Sequence, residues 1–134
     1  MKKRVFIFDS DPDTAMTMAF GLESEGHEVL TNIEQVDGQI YRAQLDTTKV
    51  IRKMLNWDPL PDVIIIECLD VDSERFMEIL TSAGVHITTL AMSHRYPNTK
   101  IERLMSEYGV FCMPKPLNVG RLVDYVHQLS MANH

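Results

Sequence analysis

The stretch Pro61-Asp62-Val63-Ile64-Ile65-Ile66-Glu67 decides the fold. Val63 to Ile66 is uniformly apolar and β-branched, the composition of a parallel strand buried on both faces. The run closes on a single carboxylate. Burying a charge is costly unless it is paired, so Glu67 calls for a partner. Two other segments have the same form. Val5-Phe6-Ile7-Phe8 ends on Asp9, and Val110-Phe111-Cys112-Met113 leads to Lys115 and Pro116. Three buried strands thus each deliver a charged group at the C-terminal end, where an open α/β sheet builds its site.

Working outward, strands and helices alternate along the chain. Residues 4–8 form the first strand. Asp11 reads as an N-cap and Pro12 as the first helical residue, with Ala15, Met18, Ala19 and Leu22 on one face and Gly26 as the stop. A second strand spans 27–31. Residues 32–39, with Asn, Asp and Gly, read as loop. A helix is expected from about Gln39 to Trp57, although its apolar period slips at Asp46-Thr47-Thr48, which also allows an extended loop and a shorter helix. Strand 63–66 follows Pro59 and Pro61. Asp72 or Ser73 caps a helix through about Ser82. His86 to Ala91 is the fourth strand, Pro97 opens a helix that Gly109 stops, and residues 110–113 are the fifth strand. Asn118 caps a last helix with Leu122, Val123, Val126 and Leu129 on one stripe.

Five strand–helix repeats imply one doubly wound parallel sheet with helices on both faces, flavodoxin-like, of strand order 2-1-3-4-5. Its switch point falls between the first and third strands, which end on Asp9 and Glu67. Topology alone nominates that pair.

The bulk composition narrows the function. A length of 134 residues fits one domain, 1–134, able to bury its own core. Thirteen basic and nineteen acidic residues give a net charge of −6, which argues against direct nucleic-acid binding because phosphate neutralisation needs a basic face. No apolar run approaches the ~20 residues that span a bilayer. The basic start Met1-Lys2-Lys3-Arg4 precedes only the short run Val5–Phe8, too little for a signal peptide, so a cytoplasmic protein without membrane contact is expected. Cys68 and Cys112 read as reduced, packed thiols, the nine methionines as core filler and Trp57 as a packing residue. His27, His86 and His94 lack metal-ligand spacing. No glycine-rich phosphate loop follows the first strand, and no Ser-His-Asp or Cys-His set presents itself.

The ordered set of Asp9, Glu67 and Lys115-Pro116 resembles the receiver domains of bacterial response regulators (CheY-like), and the resemblance covers essentially the whole chain. Glu74-Arg75-Phe76-Met77-Glu78-Ile79-Leu80 resembles the start of the third receiver helix and fixes the register, which puts Glu67 at the phosphoacceptor position. In that family the acceptor is an aspartate, so the likeness is to a degenerate, pseudo-receiver type. The family holds Mg²⁺ with two adjacent acids after the first strand. Here Asp9 matches the first, Ser10 occupies the second, and Asp11 comes one residue late. The resemblance therefore implies weak or absent Mg²⁺ at Asp9 and Glu67 and no other cofactor. The hydroxyl that ends the family's fourth strand is replaced by Ala91, with Ser93 or Thr89 able to substitute only in a register shifted by two. The family's switch aromatic falls on Cys112, with Phe111 adjacent. Lys115 is the lysine that pairs with strand-end carboxylates, and the resemblance implies a cis peptide before Pro116. The stretch from Thr31 to Trp57 is longer than the family's usual connection.

The extra methylene of Glu67 adds roughly 1.5 Å of reach over aspartate. Two readings of that carboxylate stand open: a permanent, partial imitation of a phosphoryl group, or simple neutralisation of Lys115. Either way phosphorylation at Glu67 is expected to be slight, since a small displacement of a reacting atom costs ~100-fold. No catalytic residue is expected. The resemblance implies two-component signalling through protein contacts, with a signalling partner or a second copy meeting residues 97–131. Two alternatives remain at this level: a phosphorylatable, Mg²⁺-dependent regulator with an atypical acceptor, and a flavodoxin-like protein binding a small ligand in the same crevice.

Overall fold

The computed structural model describes residues 2–68, 70–93, 99–114 and 118–132, with side chains through Leu129. The elements in chain order are β1 (Arg4–Phe8), α1 (Pro12–Ser24), β2 (Glu28–Thr31), β3 (Ile33–Val36), β4 (Ile40–Ala43), α2 (Thr47–Leu55), β5 (Val63–Glu67), α3 (Ser73–Ser82), β6 (Thr88–Ser93), α4 (Thr99–Tyr108), β7 (Phe111–Pro114) and α5 (Val119–Ala132). Five strands make one parallel sheet in the order β2-β1-β5-β6-β7. Counting only the strands of that sheet, this is the doubly wound order 2-1-3-4-5.

The alternation of side chains along the central strands divides the core into two layers. Phe6, Phe8, Ile64 and Ile66 face α2, α3 and α4, where Val50, Met54, Phe76, Leu80, Ile101 and Leu104 cover them. Val5, Ile7, Val63 and Ile65 face α1 and α5, covered by Met18, Leu22, Leu122, Val126 and Leu129. Each fully buried side chain of this size removes about 1.5–3 kcal/mol of apolar exposure. The edge-on contact of Phe8 with Phe76, ring centroids 5.4 Å apart, locks the end of β1 to α3.

The expected helix from Gln39 to Trp57 is corrected to an antiparallel hairpin followed by a shorter helix, and the expected loop at 32–39 holds the hairpin's first strand. β3 pairs with β4 so that Ile33 faces Ala43 and Val36 faces Ile40. The reversal falls on Asp37-Gly38, both with positive φ (52° and 79°), a conformation that glycine and aspartate tolerate best. The slipped period at Asp46-Thr47-Thr48 marks a helix start: Asp46 accepts from the Lys49 N–H at 3.1 Å and caps α2. Smaller shifts occur at β2, which begins at Glu28, and at β6, which begins at Thr88 and reaches Ser93. Pro97 and His94 lie outside the described residues.

α1 and α5 approach closely at Gly21, where a Cβ would overlap Cγ1 of Val119. Gly21→Ala is therefore expected to destabilise the protein by about 1–2 kcal/mol, because overpacking against a stiff β-branched neighbour outweighs the ~1 kcal/mol that alanine gains in a helix. Urea denaturation of the two proteins measures the difference.

Candidate functional site

β1 and β5 are neighbours in the sheet, registered so that Phe8 stands opposite Ile66. Asp9 directly follows β1 and Glu67 ends β5, so two carboxylates come at neighbouring positions of the rim. Both are buried, at 1% and 5% exposure.

Glu67 does not project outward. Its Oε1 accepts from the Ser10 hydroxyl and the Asp70 N–H, each at 3.1 Å, and its Oε2 accepts from the N–H groups of Asp70 and Val71, also at 3.1 Å. The side chain folds over its own β5–α3 loop and fills the concavity that the loop amides form. A glutamate has the reach for this, whereas an aspartate is one methylene short. Backbone donors to a buried carboxylate are charge-assisted and stronger than neutral bonds.

The same loop is gripped from the opposite polarity. Lys100, in the first turn of α4, donates from Nζ to the Cys68 carbonyl at 3.0 Å and to the Val71 carbonyl at 3.5 Å. An anion thus holds the loop's N–H groups and a cation its C=O groups, which ties α4 to the end of β5.

Asp9 is fixed through Asn32, which is fully buried just beyond β2. The Asn32 Oδ1 accepts the Asp9 N–H at 2.9 Å, while its Nδ2 donates to the Asp9 carbonyl at 2.8 Å and to the Gln44 carbonyl at 3.0 Å. The Gln44 N–H closes the circuit on the Asn32 carbonyl at 3.0 Å. One amide side chain therefore fastens the base of the β3–β4 hairpin to the rim of β1. Asp9 Oδ1 accepts the Asp11 N–H at 2.8 Å. Asp11 caps α1, taking the Asp13 N–H at 3.2 Å and the Thr14 hydroxyl at 2.6 Å.

The structure brings Asp9, Ser10, Asp11 and Glu67 together at one rim. Ala91, on β6, is buried beside Ile66, one residue before the level of Glu67, which faces Met92. Ser93 ends β6 and is also buried. Cys112 stands across from Ala91 on β7, and Phe111 beside it is exposed. Lys115 and Pro116 lie outside the described residues; the cis peptide among those described is Asp58-Pro59. Asn32 and Lys100 were not singled out from the sequence. An asparagine ahead of an Asp-Gly turn was the available hint for the first, and the second carried none.

The thiols are at rest. Burial pushes Cys68 up to about 11, with Ser73 and Lys100 pulling weakly the other way, and burial also raises Cys112. Cys68 directly follows β5 and Cys112 lies on β7, with β6 between the two strands. Two strand spacings come to roughly 9.5 Å, beyond the ~7 Å between Cα atoms that a disulfide bridges.

Mg²⁺ requires several hard oxygen ligands in octahedral array. The residues present do not fit it. Both Glu67 oxygens accept from two amides and a hydroxyl, the Asp11 carboxylate is turned to the helix start, and the Ser10 hydroxyl donates its hydrogen bond to Glu67. Among the described residues no three His, Cys, Asp or Glu side chains are grouped to hold a metal ion.

No family model matches the chain, and no curated protein matches it. Solved structures do. The chain is similar to the receiver domain of Francisella response regulator 1452, at 18% identity and a TM-score of 0.73, covering 98% of this chain and 99% of that one. A CheY-like receiver domain protein from Methanospirillum hungatei JF-1 aligns at 16% identity and 0.75, covering 98% and 96%. A response regulator from Thermotoga maritima aligns at 13% and 0.72, covering 98% and 99%. At these identities the likeness shows the fold: the chain has the architecture of a response-regulator receiver domain. No helix among the described residues is long and apolar enough to cross a membrane.

Removing the Glu67 carboxylate strands two loop N–H groups. Glu67→Ala is expected to lower stability by about 1–3 kcal/mol, and Ser10→Ala, which removes one hydroxyl donor, by about 0.5–1.5 kcal/mol. Denaturant titration of both variants checks the order as well as the size; equal stability of Glu67→Ala and the parent would refute the loop contact.

Proposed function

We propose that this chain is a receiver-type domain of two-component signalling that acts through protein contacts and without phosphoryl control. The observation that carries this reading is the Glu67 carboxylate, turned onto the Asp70 and Val71 amides and the Ser10 hydroxyl. Phosphoryl transfer needs an acceptor oxygen free for in-line attack, a bridging metal and neutralisation of the charge that builds up. Here the acceptor's lone pairs are engaged, the second acid of the metal pair is Ser10, and Ala91 offers no hydroxyl to follow a phosphoryl oxygen. The loop that would respond to phosphorylation already holds an anion of about one charge, against −1.5 to −2 for a phosphoryl group. The crevice is a permanent clasp, and no catalytic step is assigned to it.

The partner-binding surface in this reading is the face of α4, β7 and α5, within residues 97–131. Met105 and Phe111 are exposed there, the kind of apolar contact that a signalling partner or a second copy would cover. Lys100 links that face to the clasp. The net charge of −6 favours a protein partner over nucleic acid.

Incubation with acetyl phosphate and Mg²⁺, followed by intact mass measurement, is expected to leave the protein unmodified. The combined variant Ser10→Asp, Glu67→Asp and Ala91→Thr is expected to acquire an acid-stable, base-labile phosphoryl adduct. An adduct on Glu67 of the parent protein would overturn the reading.

A further inference from the structure

We propose that His27 and His127 form a proton-operated latch that fastens α5 to the N-terminal rim of the sheet and releases it in mild acid. His27 lies in the turn between α1 and β2, and His127 lies one hundred residues later, near the end of α5. Their Nε2 atoms are 2.9 Å apart, with the rings edge-to-face at 71°. His27 is 4% exposed. The Lys3 N–H donates to Nδ1 of His27 at 3.0 Å.

That backbone contact fixes the proton positions. An amide N–H only donates, so Nδ1 of His27 carries the lone pair and the ring hydrogen sits on Nε2. The Nε2–H then donates to Nε2 of His127. The neutral pair satisfies both bonds with two ring hydrogens. A third hydrogen has two places to go. On His127 Nε2 it faces the Nε2–H of His27. On His27 Nδ1 it faces the Lys3 N–H, and sliding the shared hydrogen toward His127 does not help. No arrangement of three hydrogens keeps both bonds, so protonation and the closed latch exclude each other. The same tautomer leaves Nε2 of His27 without a lone pair for a metal.

The surroundings act in the same sense. Burial is the largest influence lowering His27 from its ordinary 6.5, followed by His127, the chain's amino terminus and Lys3, while Glu25 opposes them. Other charged groups nearby in the chain are Glu23 at the end of α1, Glu28 at the start of β2, held by Lys2 and Arg4, and Asp124, one turn before His127 on α5. A histidine with a lowered folded-state value stabilises the fold above 6.5. That contribution is lost as pH falls from 6.5 through the lowered value. α5 is the element at stake, since the pair adds a polar anchor to its apolar stripe of Leu122, Val126 and Leu129. The consequence for partner binding rests on the function proposed above; the latch itself does not.

Hydrogen exchange of the full chain at about pH 7.5 and about pH 5.5, corrected for intrinsic rates, reads the latch directly. Opening of α5 amides is expected to rise by up to about tenfold per pH unit below 6.5, the limit for one proton, while β5 amides hold. In His127→Phe, which keeps His27 but removes its acceptor, the rise in α5 opening between the two pH values is expected to be smaller than in the parent. If that variant does not fold, nitrogen NMR of the parent decides: a lone pair on Nδ1 and a hydrogen on Nε2 of His27 at neutral pH support the latch. Unchanged α5 protection in the parent, or a hydrogen on Nδ1 of His27, would overturn it.

Discussion

A buried carboxylate at the end of a buried strand must find donors, and Glu67 finds them in its own loop. This constraint organises the C-terminal rim of the sheet. The loop amides of Asp70 and Val71 point inward because an anion is there to receive them. With the N–H groups committed, the carbonyls of Cys68 and Val71 are left to the outer side, where Lys100 takes them. The two interactions have opposite polarity and act on adjacent peptide groups, so each reinforces the geometry the other needs. α4 is held to β5 by that pairing as well as by the packing of Ile101 and Leu104. A loop gripped from both sides in the resting molecule has little freedom left to serve as a switch.

The opposite rim is also fastened by polar contacts. Arg4 donates to the Pro59 carbonyl at 2.8 Å, pairs with Glu28, and lies 3.9 Å over the Trp57 ring. Its backbone N–H meets the Asp62 carboxylate at 2.8 Å. These contacts join β1, β2 and the connection into β5. The histidine pair adds α5 to the same rim. The sheet is thus clasped by a carboxylate in its own loop at one end and by a pair of imidazole rings at the other.

The parallel sheet was legible because its signals are strong and local. Val63 to Ile66 admits no other environment, and caps such as Asp11, Asp72 and Asn118 mark the helix starts. The convergence of Asp9 and Glu67 followed from strand order alone. The hairpin is hard to read because Asp37-Gly38 has the composition of any loop and its strands are partly buried in β3 and mostly exposed in β4, which blurs their alternation. What Glu67 binds was beyond the sequence for a different reason. Its partners are backbone amides three and four residues on, and backbone donors have no letter in a sequence. Asn32 and Lys100 act through backbone atoms too, so neither belongs to a residue pattern that spacing reveals. The His27–His127 contact joins positions one hundred apart and depends on how α5 lies across the sheet.

Glu67 already fills the loop's anion cradle. Titration with beryllofluoride and Mg²⁺, followed through the backbone amide resonances of Asp70 and Val71, tests it most directly. Both resonances are expected to stay in place across the titration. Saturable shifts at these two amides would show that the cradle accepts an external phosphoryl analogue, and would contradict it.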